Sequence, residues 1–179
     1  MSKDLQIIEK LQSKLGFENV KYITHSLIDP NLELQIGYAE IHHEDLELIG
    51  ELTNLAILRI AHSKINTKIQ SLEKLTSLTW LAIVYSQVSK IEGLEKLVNL
   101  QDLDLFNNNI SKIEGLDNLT KLSILDLRNN QIDTIQGLDN LNNLEGLGIS
   151  NNNIPEKEIK EFQANNPKIK VFKNTWPFK

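Results

Sequence analysis

Few residues in this chain have the types and the spacing that chemistry requires. His42 and His43 are adjacent, but neighbouring imidazoles rarely point at one metal ion, and no nearby carboxylates complete a tetrahedral site. Asp102 and Asp104 have the spacing that begins a calcium loop, but the glycine and the distant glutamate that close such a loop are missing. No Ser/His/Asp arrangement, glycine-rich phosphate loop or paired buried carboxylate stands out. The sequence therefore predicts no metal site, no cofactor and no catalytic residue, and it predicts that the protein is not an enzyme.

The charge balance argues against a nucleic-acid partner. The chain has 19 basic residues against 24 acidic ones, a formal net charge of −5, and its only arginines are Arg59 and Arg128. A nucleic-acid binder normally carries a basic stripe that neutralises phosphates. The lack of cysteine also removes thiolate zinc sites, disulfides and cysteine nucleophiles.

The sequence likewise predicts no membrane partner. Its first residues lack the long apolar stretch of a signal peptide, and no apolar run is long enough to cross a membrane. We therefore expect a monomeric, cytoplasmic protein. The alternative is secretion by a route without a visible signal peptide.

A repeat of about 22 residues organises the chain. Leucine, isoleucine and asparagine supply 71 of the 179 residues, a bias that is typical of repetition. The pattern Leu-x-x-Leu-x-Leu-x-x-Asn-x-Ile is complete or nearly so in the last three units, whereas Ser63 and Ser86 replace the asparagine in the two units before them. The six units start near residues 31, 55, 78, 100, 122 and 144.

Each unit is predicted to form one coil with a short strand on one side. Alternation along the strand sends Leu103 and Leu105 inward and leaves Asp102, Asp104 and Phe106 outside. One unit cannot bury its own leucines, so the coils must stack.

The rest of each unit also has a regular pattern. The segment that leads from one strand to the next is the return path of the coil. Apolar residues at three-residue steps along it, as in Ile91, Leu94 and Leu97, predict short 3₁₀-like turns. The repeated asparagine has an amide that can both donate and accept, so it can satisfy backbone groups that the turn leaves unpaired. The asparagines at this position are Asn108, Asn130 and Asn152.

With these residues the chain resembles the leucine-rich repeat family. Its 22-residue unit with Ile-x-Gly-Leu-x-x-Leu is similar to the subclass found in protein-phosphatase regulatory subunits and bacterial internalins. The resemblance covers roughly residues 31–174. It implies an α/β fold: a right-handed solenoid with a curved parallel sheet on the concave face, 3₁₀ and irregular structure on the convex side, and helical caps.

We expect residues 1–30 to form an N-terminal cap, residues 31–154 the repeats and residues 155–179 a C-terminal cap. Helical spacing predicts a helix over residues 3–15, which Ser2 caps and Gly16 ends. The conformation of residues 17–30 stays open: residues 20–23 have strand character, and residues 29–31 have the composition of a turn.

The C-terminal cap is predicted to contain a helix and a strand. The helix begins at Pro155 and ends before Pro167. The strand, residues 168–172, places Ile169 and Val171 at the paired leucine positions, which turns Lys168, Lys170 and Phe172 outward. Trp176 and Phe178 are expected to fold back over it.

The outward residues of the strands form the predicted binding surface. They do not hold the coil together, so solvation would favour small or polar side chains; instead aromatic and aliphatic residues cluster in the middle units beside an acidic border. Arg59 lies diagonal to Trp80, within reach of a cation–π contact. The candidate partner-binding residues are Tyr38, Ile57, Arg59, Trp80, Val84, Tyr85, Asp102, Asp104, Phe106, Ile124, Asp126 and Arg128.

These features predict a non-enzymatic module that binds a partner protein on the concave face. Two alternatives follow from the resemblance. One is an exported, internalin-like adhesion or effector protein, and the other is a regulatory subunit of an enzyme such as a phosphatase.

Overall fold

The computed structural model describes residues 2–23, 32–65, 69 and 71–172. Within these residues, eight strands form one sheet in the order β1-β2-β4-β6-β7-β8-β9-β10, and β3 pairs with β5 in a second, two-stranded sheet. The strands of the large sheet are β1 (Val20–Ile23), β2 (Leu32–Gly37), β4 (Leu55–Ala61), β6 (Trp80–Val84), β7 (Asp102–Asp104), β8 (Ile124–Asp126), β9 (Gly146–Gly148) and β10 (Lys170–Phe172). The remaining elements are α1 (Lys3–Leu15), β3 (Glu40–Ile41), α2 (His43–Gly50), β5 (Lys64–Ile65) and α3 (Glu156–Asn165).

Each repeat contributes one parallel strand, as the leucine pattern predicts. From β2 to β10 every neighbouring pair in the large sheet is parallel, and Leu81, Leu103, Leu125 and Leu147 follow one another in register across four strands. The inward leucines and isoleucines pack into one continuous core, and the four named here are completely buried. Because only stacked coils bury these side chains, each coil depends on its neighbours.

The return path ends in tight turns in all five units that carry the three-residue pattern. Leu97 donates its N–H to the carbonyl of Leu94, and Leu100 donates to the carbonyl of Leu97, at 2.9 Å each. The same pair of i+3→i bonds recurs in the units before and after. The predicted 3₁₀-like turns are confirmed there, because such bonds define that geometry.

The first return path differs from the sequence prediction. Leu46 and Ile49 lie in an α-helix, α2, and the tight turns follow only after it, where Leu52 donates to the carbonyl of Ile49 and Leu55 donates to that of Leu52. The carboxylate of Asp45 accepts the backbone N–H of His42 at 2.8 Å, which satisfies a donor that the helix start would otherwise leave open. The helix takes up the extra residues of this unit and buries Leu46, Ile49 and Asp45 completely.

The N-terminal cap combines a helix and a strand. Helix α1 spans the predicted residues, the Ser2 hydroxyl accepts the N–H of Leu5, and Gly16 follows its last turn with φ 97°. Strand β1 then pairs with β2 in an antiparallel direction. Residues 20–23, whose strand character the sequence shows within a segment that it leaves open, thus form a strand. The turn at residues 29–31 lies outside the described residues.

The C-terminal strand is shifted by two residues from the predicted register. Val171, not Ile169, pairs with Leu147, and Phe172 pairs with Gly148. The cause is helix α3, because a helical return path uses more residues per coil than the tight turns that it replaces. The outward residues of β10 are therefore Lys170 and Phe172, and Lys168 precedes the strand. Trp176 and Phe178 lie outside the described residues.

The repeated asparagines form the predicted internal ladder. Asn130 donates its side-chain amide to the carbonyls of Leu105 and Leu127, at 3.0 Å each, and its Oδ1 accepts the N–H of Ile110 at 3.0 Å. Asn108 and Asn152 make equivalent bonds in their own coils. Each asparagine thus links at least three backbone groups from two adjacent coils.

Replacing Asn130 with alanine is expected to lower the free energy of unfolding by about 1–3 kcal/mol, because it leaves buried backbone groups without partners. Asn129 gives the matched control. Its side chain lies at the surface, and its φ of 56° suits glycine, so Asn129→Gly should be nearly neutral. Urea denaturation measures both, and equal losses would contradict the assignment of Asn130 as the internal residue.

Candidate functional site

The outward residues of the sheet form three rows across the strands. Ile57, Trp80, Asp102 and Ile124 follow one another in one row, and Arg59, Ala82, Asp104 and Asp126 follow in the next. Backbone pairing therefore places eight of the twelve predicted partner-binding residues on one face of the sheet, which is the concave face of this fold, and the other four follow the ends of their strands. Their exposure differs widely along that face.

Aromatic rings line the edge of the concave face where the strands end. Tyr38 and His62 stack with ring centroids 5.0 Å apart, His62 and Tyr85 stack at 4.4 Å, and Phe106 meets Tyr85 edge-on at 5.2 Å. We call these four residues the aromatic ladder. Tyr38 and Tyr85 are 76% and 41% exposed, so the ladder is open to solvent at its N-terminal end.

Three residues of the aromatic ladder have a left-handed backbone. Tyr38, His62 and Tyr85 have φ of 56°, 51° and 53°, and the equivalent residues of later coils are asparagines such as Asn107 and Asn129 at the same φ. Asparagine tolerates this conformation, whereas a bulky side chain is strained there. The first three coils therefore keep aromatic rings at positions where asparagine would fit the backbone better.

Four of the predicted partner-binding residues are buried, contrary to the expectation that they are exposed. Val84 and Ile124 are 5% and 3% exposed, Asp126 is fully buried, and Arg128 is 8% exposed. They are covered because outward side chains in adjacent rows of this face pack against each other. These four residues support the surface rather than form it.

The buried charges form one ion pair between two aromatic rings. The Arg128 guanidinium donates from Nε to the Asp126 carboxylate at 2.9 Å, and it lies 5.2 Å from the Phe106 ring and 5.1 Å from the Phe172 ring. Gly148 makes this arrangement possible, because a Cβ there would lie 2.6 Å from both the Asp126 carboxylate and the Phe172 ring. The shifted register of β10 brings Phe172 to this place.

Arg59 does not form the predicted cation–π contact with Trp80. Among the described residues, the cation–π contacts belong to Arg128. Arg59 pairs along the row with Ala82 and extends into solvent, and no described carboxylate forms an ion pair with it.

The acidic border contains one carboxyl group with an unusual pKa. Burial raises the pKa of Asp104 to about 6; the nearby Asp126 carboxylate adds to this shift, while the Phe106 N–H, Arg128 and Arg59 oppose it. The Phe106 N–H donates to Asp104 at 3.0 Å. Burial also raises the pKa of Asp102. Both carboxyl groups lie half-buried beside Trp80 and Phe106.

The stability of the fold is expected to depend on pH through Asp104. Between about pH 4 and pH 6 the folded chain retains a proton that the unfolded chain releases, so the free energy of unfolding falls as pH rises through this range. Asp104→Asn removes this dependence while its Oδ1 can still accept the Phe106 N–H. Urea denaturation at pH 4 and pH 7 should show wild type losing about 2 kcal/mol relative to the variant. Parallel pH profiles would contradict the raised pKa.

A hollow lies at the N-terminal end of the concave face. Its volume is about 380 Å³. Gly37 and Ala61 form its floor, Tyr38 and His62 form one wall, and Arg59 lines it from the next row. The repeat pattern does not reveal this hollow, because β1, which closes one side, pairs with β2 in the antiparallel direction and does not belong to the repeat.

The described residues contain no cluster of three or more histidines, aspartates or glutamates that could hold a metal ion. His42 precedes α2, and the side chain of His43 lies 3.3 Å from Glu47 within that helix. In the same part of the chain, no helix is long and apolar enough to cross a membrane.

The comparisons agree with this geometry. Residues 76–118 match the family model for leucine-rich repeats in two copies. The solved structure of an internalin from Listeria monocytogenes has 31% sequence identity and a TM-score of 0.62 over 74% of this chain. A leucine-rich repeat protein from Leptospira interrogans has 23% identity and a TM-score of 0.58 over 70% of this chain, a likeness that shows the fold alone. This chain spans 38% of the length of each of these two structures. No curated protein sequence matches it.

The repeats of this chain are leucine-rich repeats, and the chain is a leucine-rich repeat protein. The family and the fold that the sequence predicts are thereby confirmed. Proteins of this class typically serve as non-enzymatic scaffolds, and the class suggests a module that interacts with other proteins.

Proposed function

We propose that the chain is a non-enzymatic protein-interaction module that binds a partner protein through the exposed part of its concave face. That part consists of Tyr38, Ile57, Arg59, Trp80, Tyr85, Asp102, Asp104 and Phe106. It joins aromatic rings to charged groups that lie at the rim, which is the composition of an interface core and its border.

The left-handed tyrosines are the observation that carries this proposal. A non-glycine residue held in such a conformation costs on the order of 1–3 kcal/mol when its side chain is bulky. Asparagine fills the same position in later coils with less strain, so the fold itself does not require Tyr38 or Tyr85. Exposed tyrosines that the fold does not require fit a role in binding, since tyrosine is among the residues that most often anchor interfaces.

The aromatic anchors are expected to control binding more than stability. Tyr85→Asn introduces the residue that later coils have at this position. The melting temperature of the variant should therefore equal or exceed that of wild type. Trp80→Ala removes a half-buried ring from the concave face and leaves the leucine core inside the coils intact. Either change should weaken partner binding by at least about 2 kcal/mol, the usual loss when an aromatic anchor is removed.

The partner is first defined by capture from a lysate of the source cells and then purified for calorimetry. Lys96→Ala, an exposed change away from the sheet, is the matched control and should preserve both stability and affinity. Full affinity in the Tyr85→Asn, Trp80→Ala double variant would place binding elsewhere and refute the proposal.

The likeness to an internalin favours one further candidate, an adhesion or effector protein outside the cell. Its requirement is export, whereas a cytoplasmic scaffold needs none. Fractionation of cells that express the native protein distinguishes the two: recovery from the medium or the cell surface supports the exported role, and recovery from the cytoplasm alone refutes it.

A further inference from the structure

We infer that the hollow at the N-terminal end of the concave face binds an anionic group, a carboxylate or a phosphate ester, carried by the partner protein. The inference rests on the proposed function, because it names the chemistry that part of the same face recognises. The hollow is lined by Glu18, Asn19, Lys21, Gln35, Ile36, Gly37, Tyr38, Arg59, Ala61 and His62.

Two cations flank the hollow in one row of the sheet. Lys21 pairs with Gln35 across β1 and β2, and Gln35 pairs with Arg59 across β2 and β4. Their side chains therefore project from the same face, with the backbones of Lys21 and Arg59 about 10 Å apart, two strand spacings. An anion between them would meet one charge on each side.

Three exposed lysines near the N-terminal cap pair with carboxylates of the first return path. Lys3 and Lys74 share Glu51, at 2.8 and 2.5 Å, and Lys14 pairs with Asp45. Within the described part of the chain, the two cations beside the hollow, Lys21 and Arg59, have no such partner.

The floor of the hollow is formed by the two smallest residue types, glycine and alanine. A Cβ at Gly37 would meet only the carbonyl oxygen of Ala61, at an ordinary contact distance of 3.6 Å, and the φ of Gly37 is not in the left-handed region. Neither packing nor backbone conformation therefore demands glycine here. The small residues at 37 and 61 leave space above the sheet, whereas Val84 and Phe106 fill the equivalent positions in the next two coils.

The wall adds polar groups that suit an anion. Tyr38 and His62 stand in the strained positions of the aromatic ladder, and their hydroxyl and imidazole groups can donate hydrogen bonds. Glu18 is the one carboxylate among the described residues that line the hollow, and its Oε1 lies against Gly16, 2.7 Å from where a Cβ would stand. Two cations against one carboxylate leave the hollow positive.

Carboxylate and phosphate are the groups that match this donor set. The planar guanidinium of Arg59 can bind two oxygens of either group side by side, and the ammonium of Lys21 supplies a second point charge. The partner is therefore a protein that presents an acidic or phosphorylated side chain at the edge of its contact with Tyr85 and Trp80.

The test uses inorganic phosphate and acetate as separate probes, titrated into the ¹⁵N-labelled protein and followed by NMR. We expect saturable shifts at the Gly37 and Ala61 amides and at Arg59 Nε. Arg59→Gln should weaken the binding at least tenfold, and Gly37→Val, which fills the floor, should abolish it. Lys96→Gln is the matched control and should bind as wild type does.

The outcomes are separable. Tighter binding of phosphate indicates a phosphorylated residue, and binding of acetate at equal or greater strength indicates an acidic side chain; both support the inference. No saturable shift with either ion, or shifts that persist in Arg59→Gln, would overturn it. If that happens while Tyr85→Asn and Trp80→Ala still weaken partner binding, the proposed function stands without the anion site.

Discussion

Replacing Asp126 with alanine is expected to lower the free energy of unfolding by about 3–5 kcal/mol, the usual loss when one partner of a buried ion pair is removed. Asp126 is fully buried and accepts hydrogen bonds from both the backbone N–H and the guanidinium of Arg128. Without the carboxylate, the guanidinium stays between the Phe106 and Phe172 rings with no opposite charge in contact.

Urea denaturation at pH 7 measures this loss. Asp102→Ala is the matched control, because Asp102 is an outward aspartate one row away that makes no ion pair with another described residue. It should cost less than 1 kcal/mol, as most surface changes do. Joint replacement of Asp126 by leucine and Arg128 by methionine should recover much of the stability, because an apolar pair needs no compensating charge. Equal effects of Asp126→Ala and Asp102→Ala would contradict the buried ion pair.

Replacing Leu125 with alanine is expected to cost about 2–5 kcal/mol, the range for a large residue truncated in a core. Leu125 is fully buried in β8 and pairs with Leu103 on one side and Leu147 on the other. Since each coil contacts mainly its neighbours, the loss should weaken the middle of the solenoid rather than fray one end.

Hydrogen exchange together with urea denaturation detects this pattern. Amides of the coils on both sides of Leu125 should exchange faster, while those of α1 should keep their protection. The convex variant Lys96→Ala serves as the control. A Leu125→Ala variant as stable as wild type would mean that the assigned register of the repeats is wrong.

Much of the fold follows from the sequence because each repeat places the same residue types at the same structural positions. Leu103, Leu125 and Leu147 each occupy the inward strand position, and Asn108 and Asn130 each satisfy the turn beside it. Five units in one register make such assignments secure. The outward position of each strand residue follows from the same alternation.

The elements that the repeat does not determine were less predictable. Helix α2 depends on the local capping of His42 by Asp45, and the register of β10 depends on the length of helix α3. Both lie where the repeat is irregular or ends, so spacing copied from the central units gives the wrong structure there.

The candidate site was predicted in outline only. Alternation identifies the residues that face outward, but it cannot tell which of them pack against each other. Arg128 is buried because Phe172 arrives from a strand that is more than 40 residues later in the chain. The hollow likewise requires β1, which is not part of any repeat. Contacts of this kind are non-local, and one sequence gives no pattern for them.

Site-specific cross-linking tests most directly whether the concave face is the binding face. The chain contains no cysteine, so a single introduced cysteine is the only thiol that a photoactivatable cross-linker can label. Asp102→Cys places the label among Trp80, Asp104 and Phe106, and Lys96→Cys places it on the exposed return path. With the purified partner present, binding on the concave face predicts a cross-linked product from the label at position 102 and none from the label at position 96. Cross-linking from position 96 alone would contradict it.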